Sequence, residues 1–139
     1  MSISEITKLS VGDTLEPMTH NPISRTTLAL FAGASGDHNP IHIDIDFAKS
    51  VGMDDVFAHG MLGMAYLGRF LTSIADQSNI RSYSVRFSSI TQVGAKLKCT
   101  GKVKEITDTS AERLMKIELS ATDQNNDVKL MGDAVIAFQ

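Results

Sequence analysis

The chain contains no tryptophan, and aromatic residues make up only 6% of it. That is too little ring surface for the stacking platforms of single-stranded nucleic-acid binders. Cysteine is almost absent: Cys99 stands alone, can form no internal disulfide, and calls for no oxidising compartment. There is no excess of positive charge either. The formal net charge is −3, which speaks against a nucleic-acid partner and against a basic membrane-surface protein. No apolar run approaches the roughly 20 residues of a membrane span. The start, Met1 to Ile6, has no basic segment followed by an apolar stretch, so no secretory leader is expected. The end, Ala137-Phe138-Gln139, is not a peroxisomal address. The cytoplasm is the expected setting. Repeats and low-complexity stretches are missing as well. The balance of 42% hydrophobic and 21% charged residues is that of a globular protein. One domain over residues 1–139 is expected, with about two-thirds of the unfolded surface buried.

What the chain does have is concentrated in one run, Ser35-Gly36-Asp37-His38-Asn39-Pro40-Ile41-His42-Ile43-Asp44. It places a carboxylate and an imidazole five residues apart. Pro40 clashes with a preceding helical turn and biases Asn39 toward extended geometry, so the run is expected to be a kinked loop and not a helix. Asp37 and His42 can then converge across a small gap. An acid and a base around one small molecule, such as water, is the requirement of proton transfer. Asn39 is expected to fix the loop through bonds to its backbone, and Asp44 to serve as a cap. His38 and His42 have the spacing of a helical metal pair, but Pro40 breaks that geometry. No metal is expected, although a set of Asp37, His38, His42 and Asp44 stays open.

Around this run the sequence reads as short helices followed by strands. Ser24 can cap a helix over residues 25–34, and a second short helix fits residues 46–50 with Gly52 as its stop. Residues 60–75 are apolar on nearly every side, the pattern of a central helix buried all round. Gly60, Gly63 and Gly68 within it are expected to let other backbone approach closely. Beyond residue 79 the period changes to two. Tyr83, Val85 and Phe87 alternate with polar neighbours. So do Leu97, Cys99, Gly101 and Val103, then Met115, Ile117, Leu119 and Ala121, and finally a strand with Leu130, Ala134, Ile136 and Phe138. Four one-sided strands form an antiparallel sheet with one packed face, and only the 60–75 helix is apolar enough to cover it. The fold class is α+β: a curved antiparallel sheet wrapped around a long helix.

From Phe31 to Asp44, with Ala48, Gly52 and Ala58-His59-Gly60-Met61-Leu62 beyond, the chain resembles the MaoC-like R-specific enoyl-CoA hydratases. The resemblance implies a single hot-dog domain and dimers that join two sheets edge to edge. It implies Asp37 and His42 as a catalytic pair holding one water. It implies an oxyanion-binding backbone N–H at Gly60. Ser35, Gly36, Asn39, Pro40 and His59 would be supporting residues. The implied reaction is syn addition of water to a trans-2-enoyl thioester of coenzyme A, or of an acyl carrier protein, giving the R-3-hydroxyacyl product, or its reverse. Coenzyme A enters only with the substrate, and no other cofactor is expected. Met61 and Met64 are candidates for lining an acyl channel, and Arg86 for meeting the carrier. The stripe of Lys96, Lys98, Lys102 and Lys104 reads first as a solvated face. A hot-dog thioesterase is the competing enzyme reading; it needs a carboxylate that activates water at the carbonyl carbon. A supporting or active subunit of a hetero-oligomeric dehydratase is the other; a merely supporting subunit is expected to lose its acid or base, and both are present.

Overall fold

The computed structural model describes residues 3–138. Met1, Ser2 and Gln139, which the single-domain reading and the reading of the two ends take in, lie outside the described residues. Five antiparallel strands make one sheet in the order β1-β3-β4-β5-β2: β1 Met18–Thr19, β2 Ile80–Phe87, β3 Lys98–Asp108, β4 Arg113–Thr122 and β5 Val128–Phe138. The alternation read in the sequence is the alternation of burial. Cys99, Val103, Met115, Ile117, Leu119 and Ala121 are buried, while Lys98, Lys102, Lys116 and Glu118 between them are exposed. Register shifts in β2, β3 and β5 interrupt the pairing. Bulges of this kind bend a strand and increase its twist, which curves the sheet.

Four α-helices complete the chain: α1 Ile3–Ile6, α2 Arg25–Ser35, α3 Ile45–Ser50 and α4 Gly60–Thr72. Ser24 caps α2 by accepting from the Thr27 N–H at 3.1 Å. Asp44 caps α3 by accepting from Asp46 and Phe47 at 3.0 and 3.1 Å. Leu67, Phe70 and Leu71 of α4 pack on the inner face of the sheet against residues that include Ile117, Leu119 and Ile136. Each such side chain contributes about 1.5–3 kcal/mol on burial. A second cluster, Ile23, Leu28, Ala48, Val56, Ala58, Leu62 and Leu97, ties α2, α3 and the approach to α4 onto the sheet.

Three expectations about the central helix are corrected. The central helix is not buried all round: Met61, Ala65 and Arg69, one turn apart, are exposed, Met61 by 55%. The sheet covers one side of α4 and the second cluster another, which leaves this third stripe open. The helix also ends at Thr72, three residues earlier than its apolar content suggested. The helix glycines, moreover, admit side chains and not backbone. A Cβ at Gly63 would lie 2.6 Å from Leu130 Cδ1, one at Gly60 would lie 3.1 Å from the Phe87 ring, and one at Gly68 would lie 3.8 Å from Tyr83. Among the described residues no helix is long and apolar enough to cross a membrane.

Candidate active site

The loop is built by a sequence of local bonds. α2 ends on Gly36, whose φ of 76° is left-handed and whose N–H donates to the Ala32 carbonyl at 3.0 Å. A side chain at this position would cost about 1–2 kcal/mol. The Asp37 N–H then donates to Ser35 Oγ at 3.2 Å, and Asp37 Oδ1 accepts from the Asn39 N–H at 3.2 Å. Asn39 Oδ1 accepts in turn from the Ile41 N–H at 3.1 Å, the turn-forming habit expected of it. Pro40 does not simply kink the loop. It opens a 3-10 turn, Pro40–His42, because a proline at the first helical position forfeits no hydrogen bond. That turn carries His42 inward until it is 9% exposed.

His42 is oriented by the main chain. Its Nδ1 lies 2.7 Å from the Phe57 carbonyl oxygen. A carbonyl only accepts, so Nδ1 carries the hydrogen and neutral His42 keeps a lone pair on Nε2. His59 sits at the N-cap of α4 and is 1% exposed. Its Nε2 donates to the main-chain carbonyl of Asp37 at 3.1 Å. Its ring stacks on His42 with centroids 4.0 Å apart and planes 28° apart, and Phe31 meets it edge-on at 4.9 Å. Burial is the main cause that lowers the His59 pKa below the ordinary imidazole value. The bond to Asp37 opposes it, and His42 adds to it.

Asp37, His42 and His59 each bring one polar atom to within 4.8 Å of the other two. Two hydrogen bonds of about 2.8 Å meeting at a water's tetrahedral angle span about 4.6 Å. Separations of up to 4.8 Å leave the three groups close enough for one small molecule to reach them together. The same three groups are of the kind that binds a divalent ion. His42 Nδ1 and His59 Nε2 are already bonded to main-chain carbonyls, so an ion would have to use the other nitrogen of each ring. The open set of Asp37, His38, His42 and Asp44 is not assembled, since Asp44 is spent on capping α3 and His38 is exposed.

Five predicted residues line one or the other of two clefts. Ser35, Asp37, Met61 and Met64 line one of about 510 Å³, together with Phe31, Ala65, Gly68 and Tyr83. Gly60 lines a second, of about 360 Å³, with Phe57, Phe87, Ser88, Ile90 and Lys129 among its walls. Arg86 lines neither cleft. It is exposed, and strand alternation turns it to the face of β2 opposite Tyr83, Val85 and Phe87. A contact of Arg86 with the carrier would therefore lie outside both clefts. Sequence reading missed the Phe57 carbonyl, which no side-chain pattern can reveal. It also missed Tyr83 as a cleft wall, which donates its hydroxyl to the Met64 carbonyl at 2.6 Å. Lys129 was missed as well. It is 4% exposed and donates to the Ile90 carbonyl at 3.0 Å and to Asp127 at 2.6 Å. The acidic turn beside it, Asp123 and Asp127, was its only signal.

Comparison with known proteins places these features in context. The model of the family described as "MaoC like domain" matches residues 7–125. The mitochondrial 3-hydroxyacyl-[acyl-carrier-protein] dehydratase of Arabidopsis thaliana is 24% identical over 137 residues, 99% of this chain and 81% of that protein. The (R)-specific enoyl-CoA hydratase of Rhodospirillum rubrum is 33% identical over 89 residues, 60% of this chain and 62% of that protein. The unliganded R-hydratase PhaJ1 of Pseudomonas aeruginosa superposes with a TM-score of 0.81 at 25% identity, over 94% of this chain and 83% of that one.

Proposed function

The chain belongs to the MaoC-like domain family, and from that premise we propose that it is an R-specific hydratase of trans-2-enoyl thioesters, or the corresponding 3-hydroxyacyl dehydratase. The observation that supports the reading is the meeting of Asp37 and His42, whose polar atoms lie within 4.8 Å of each other, close enough for one small molecule to reach both. His42 is held by Phe57 so that Nε2 is its free lone pair. As the water oxygen attacks Cβ, the pair takes one of its protons and delivers one to Cα from the same face. One water is added across the double bond, and no electrons are exchanged. Transfers of this kind typically contribute about 10²–10⁴-fold.

Negative charge that develops on the thioester oxygen needs a donor already in place. Gly60 is the first residue of α4, and its side of the helix carries the unpaired N–H groups and the positive end of the dipole. One such donor is typically worth about 3 kcal/mol. The cleft that starts at Asp37 and runs past Met61, Met64 and Gly68 offers an apolar bed for the acyl group. Tyr83 stands across it. Coenzyme A is the carrier we favour, present only as part of the substrate. We further propose that the protein acts as a homodimer joined through β2, an eight-residue edge of the sheet.

The test is a panel of trans-2-enoyl-CoA and enoyl-carrier-protein thioesters, varied in length and branching, followed by loss of the enoyl absorbance. Product stereochemistry is read on a chiral column. Formation of R-3-hydroxyacyl product from at least one member is expected. Thioester cleavage without hydration would replace the reading with a thioesterase.

A further inference from the structure

We infer that His59 is a positioning residue locked in one neutral tautomer, and that this single ring sets both members of the Asp37/His42 pair. The inference deepens the hydratase reading and rests on it for its catalytic meaning. His59 makes two contacts of different kinds. Its Nε2–H holds the Asp37 main chain at 3.1 Å, and its face holds the His42 ring at 4.0 Å. The carboxylate and the imidazole come from one short loop that could otherwise vary their separation. His59 comes from the start of α4, a rigid element, and fixes them to a common support.

The lock follows from hydrogen-bond accounting. The Asp37 carbonyl can only accept, so Nε2 of His59 must carry a hydrogen. Nδ1 is buried and has no partner among the described residues. Protonating it would place a buried donor against nothing, an arrangement that proteins avoid. The charged groups facing this ring are Asp37 and His42, both from the loop, and its remaining ring neighbour, Phe31 of α2, is neutral. Burial also lowers its pKa, in agreement with the geometry. His42 differs in the one respect that matters: its Nδ1 is satisfied by Phe57, which leaves Nε2 as its acceptor. Of the two stacked rings, one can take a proton and the other serves as its fixed backing.

The direct test is long-range proton–nitrogen NMR of the imidazole rings in the wild-type protein, which depends on no assumption about activity. His59 is expected as the neutral Nε2–H tautomer at pH 6.5, where an ordinary imidazole is half protonated, with His42 in the Nδ1–H form when neutral. A His59 that carries hydrogen on Nδ1, or that titrates with an ordinary imidazole, overturns the inference even if the protein is a hydratase. The kinetic test uses two variants. His59→Phe keeps a ring and loses the N–H; its kcat is expected to fall about 10-fold or more with KM within about 3-fold. His59→Gln restores a donor and is expected to recover part of that loss. A folded His59→Phe protein with wild-type kcat refutes the positioning role. If His59→Phe does not fold, the NMR result decides alone. Inactivity of the wild type towards every enoyl thioester would remove the hydratase reading while leaving the tautomer assignment to stand or fall on its spectrum.

Discussion

Gly132 lies in the middle of β5, opposite Val85 of β2. A Cβ at this position would sit 2.0 Å from the Ser84 carbonyl oxygen and 2.8 Å from Val85 Cα. Both obstacles are main chain, so no rotamer change can relieve them. Gly132→Ala must therefore push β2 away from β5. Overpacking of this kind costs typically about 1–3 kcal/mol, and each ladder bond lost adds about 1 kcal/mol. A total of about 3 kcal/mol or more is expected, which is a fall in Tm of about 12 °C for a domain of this size. The functional consequence is direct, because β2 carries Tyr83 and Phe87, the walls of the two clefts. Urea denaturation measures the loss. Gly94→Ala is the control: its φ of 87° strains any side chain, but nothing lies within 4 Å of the added methyl. Only about 1–2 kcal/mol is expected there. A Gly132→Ala protein within about 1 kcal/mol of wild type, or more stable than Gly94→Ala, would refute the reasoning.

Cys99 is wholly buried, and burial pushes its thiol up to about 12. It should resist alkylation by iodoacetamide at mildly alkaline pH and react once urea unfolds the chain, read by mass spectrometry. Removing the cap with Asp44→Ala should cost about 0.5–2 kcal/mol in denaturation and leave the rate of hydration near wild type. A large rate loss in a stable Asp44→Ala protein would return Asp44 to the chemistry. Stability should also depend on acid in a defined direction. The folded pKa of His59 lies below its unfolded value of 6.5, as does that of His20. Below that pH the unfolded chain binds protons that the folded chain refuses, so stability is present above it and declines as pH falls. Thermal melts should shift downward from about pH 7 to about pH 5, and His59→Phe should reduce the slope. An unchanged slope would argue that His59 ionises freely in the fold.

Much of this was legible because the residues concerned act through periodicity or local bonds. The alternation of Met115, Ile117, Leu119 and Ala121 showed a one-sided strand. Ser24, Asp44 and Asn39 are residues whose short polar side chains bond to nearby backbone, and each does so. The Asp37/His42 run was legible because Pro40 excludes an α-helix, although the 3-10 turn it initiates was not foreseen. What remained hidden depends on the fold. Helix α4 looked buried all round because composition cannot tell how many sides have neighbours. Its glycines promised close approach without telling backbone from the side chains of Leu130, Phe87 and Tyr83. Arg86 carried a suitable charge, but only the facing of β2 decided that it lies outside both clefts. The anchoring of His42 by the Phe57 carbonyl involves no side chain of Phe57, so nothing at that position signals it.

The central claim is that Asp37 and His42 together move the protons of one water. Steady-state hydration of the best trans-2-enoyl-CoA by Asp37→Asn and His42→Ala, each checked for fold by circular dichroism, tests it most directly. A fall in kcat of about 100-fold or more is expected in each variant, with melting curves close to wild type. A correctly folded His42→Ala or Asp37→Asn protein that hydrates at the wild-type rate would contradict it.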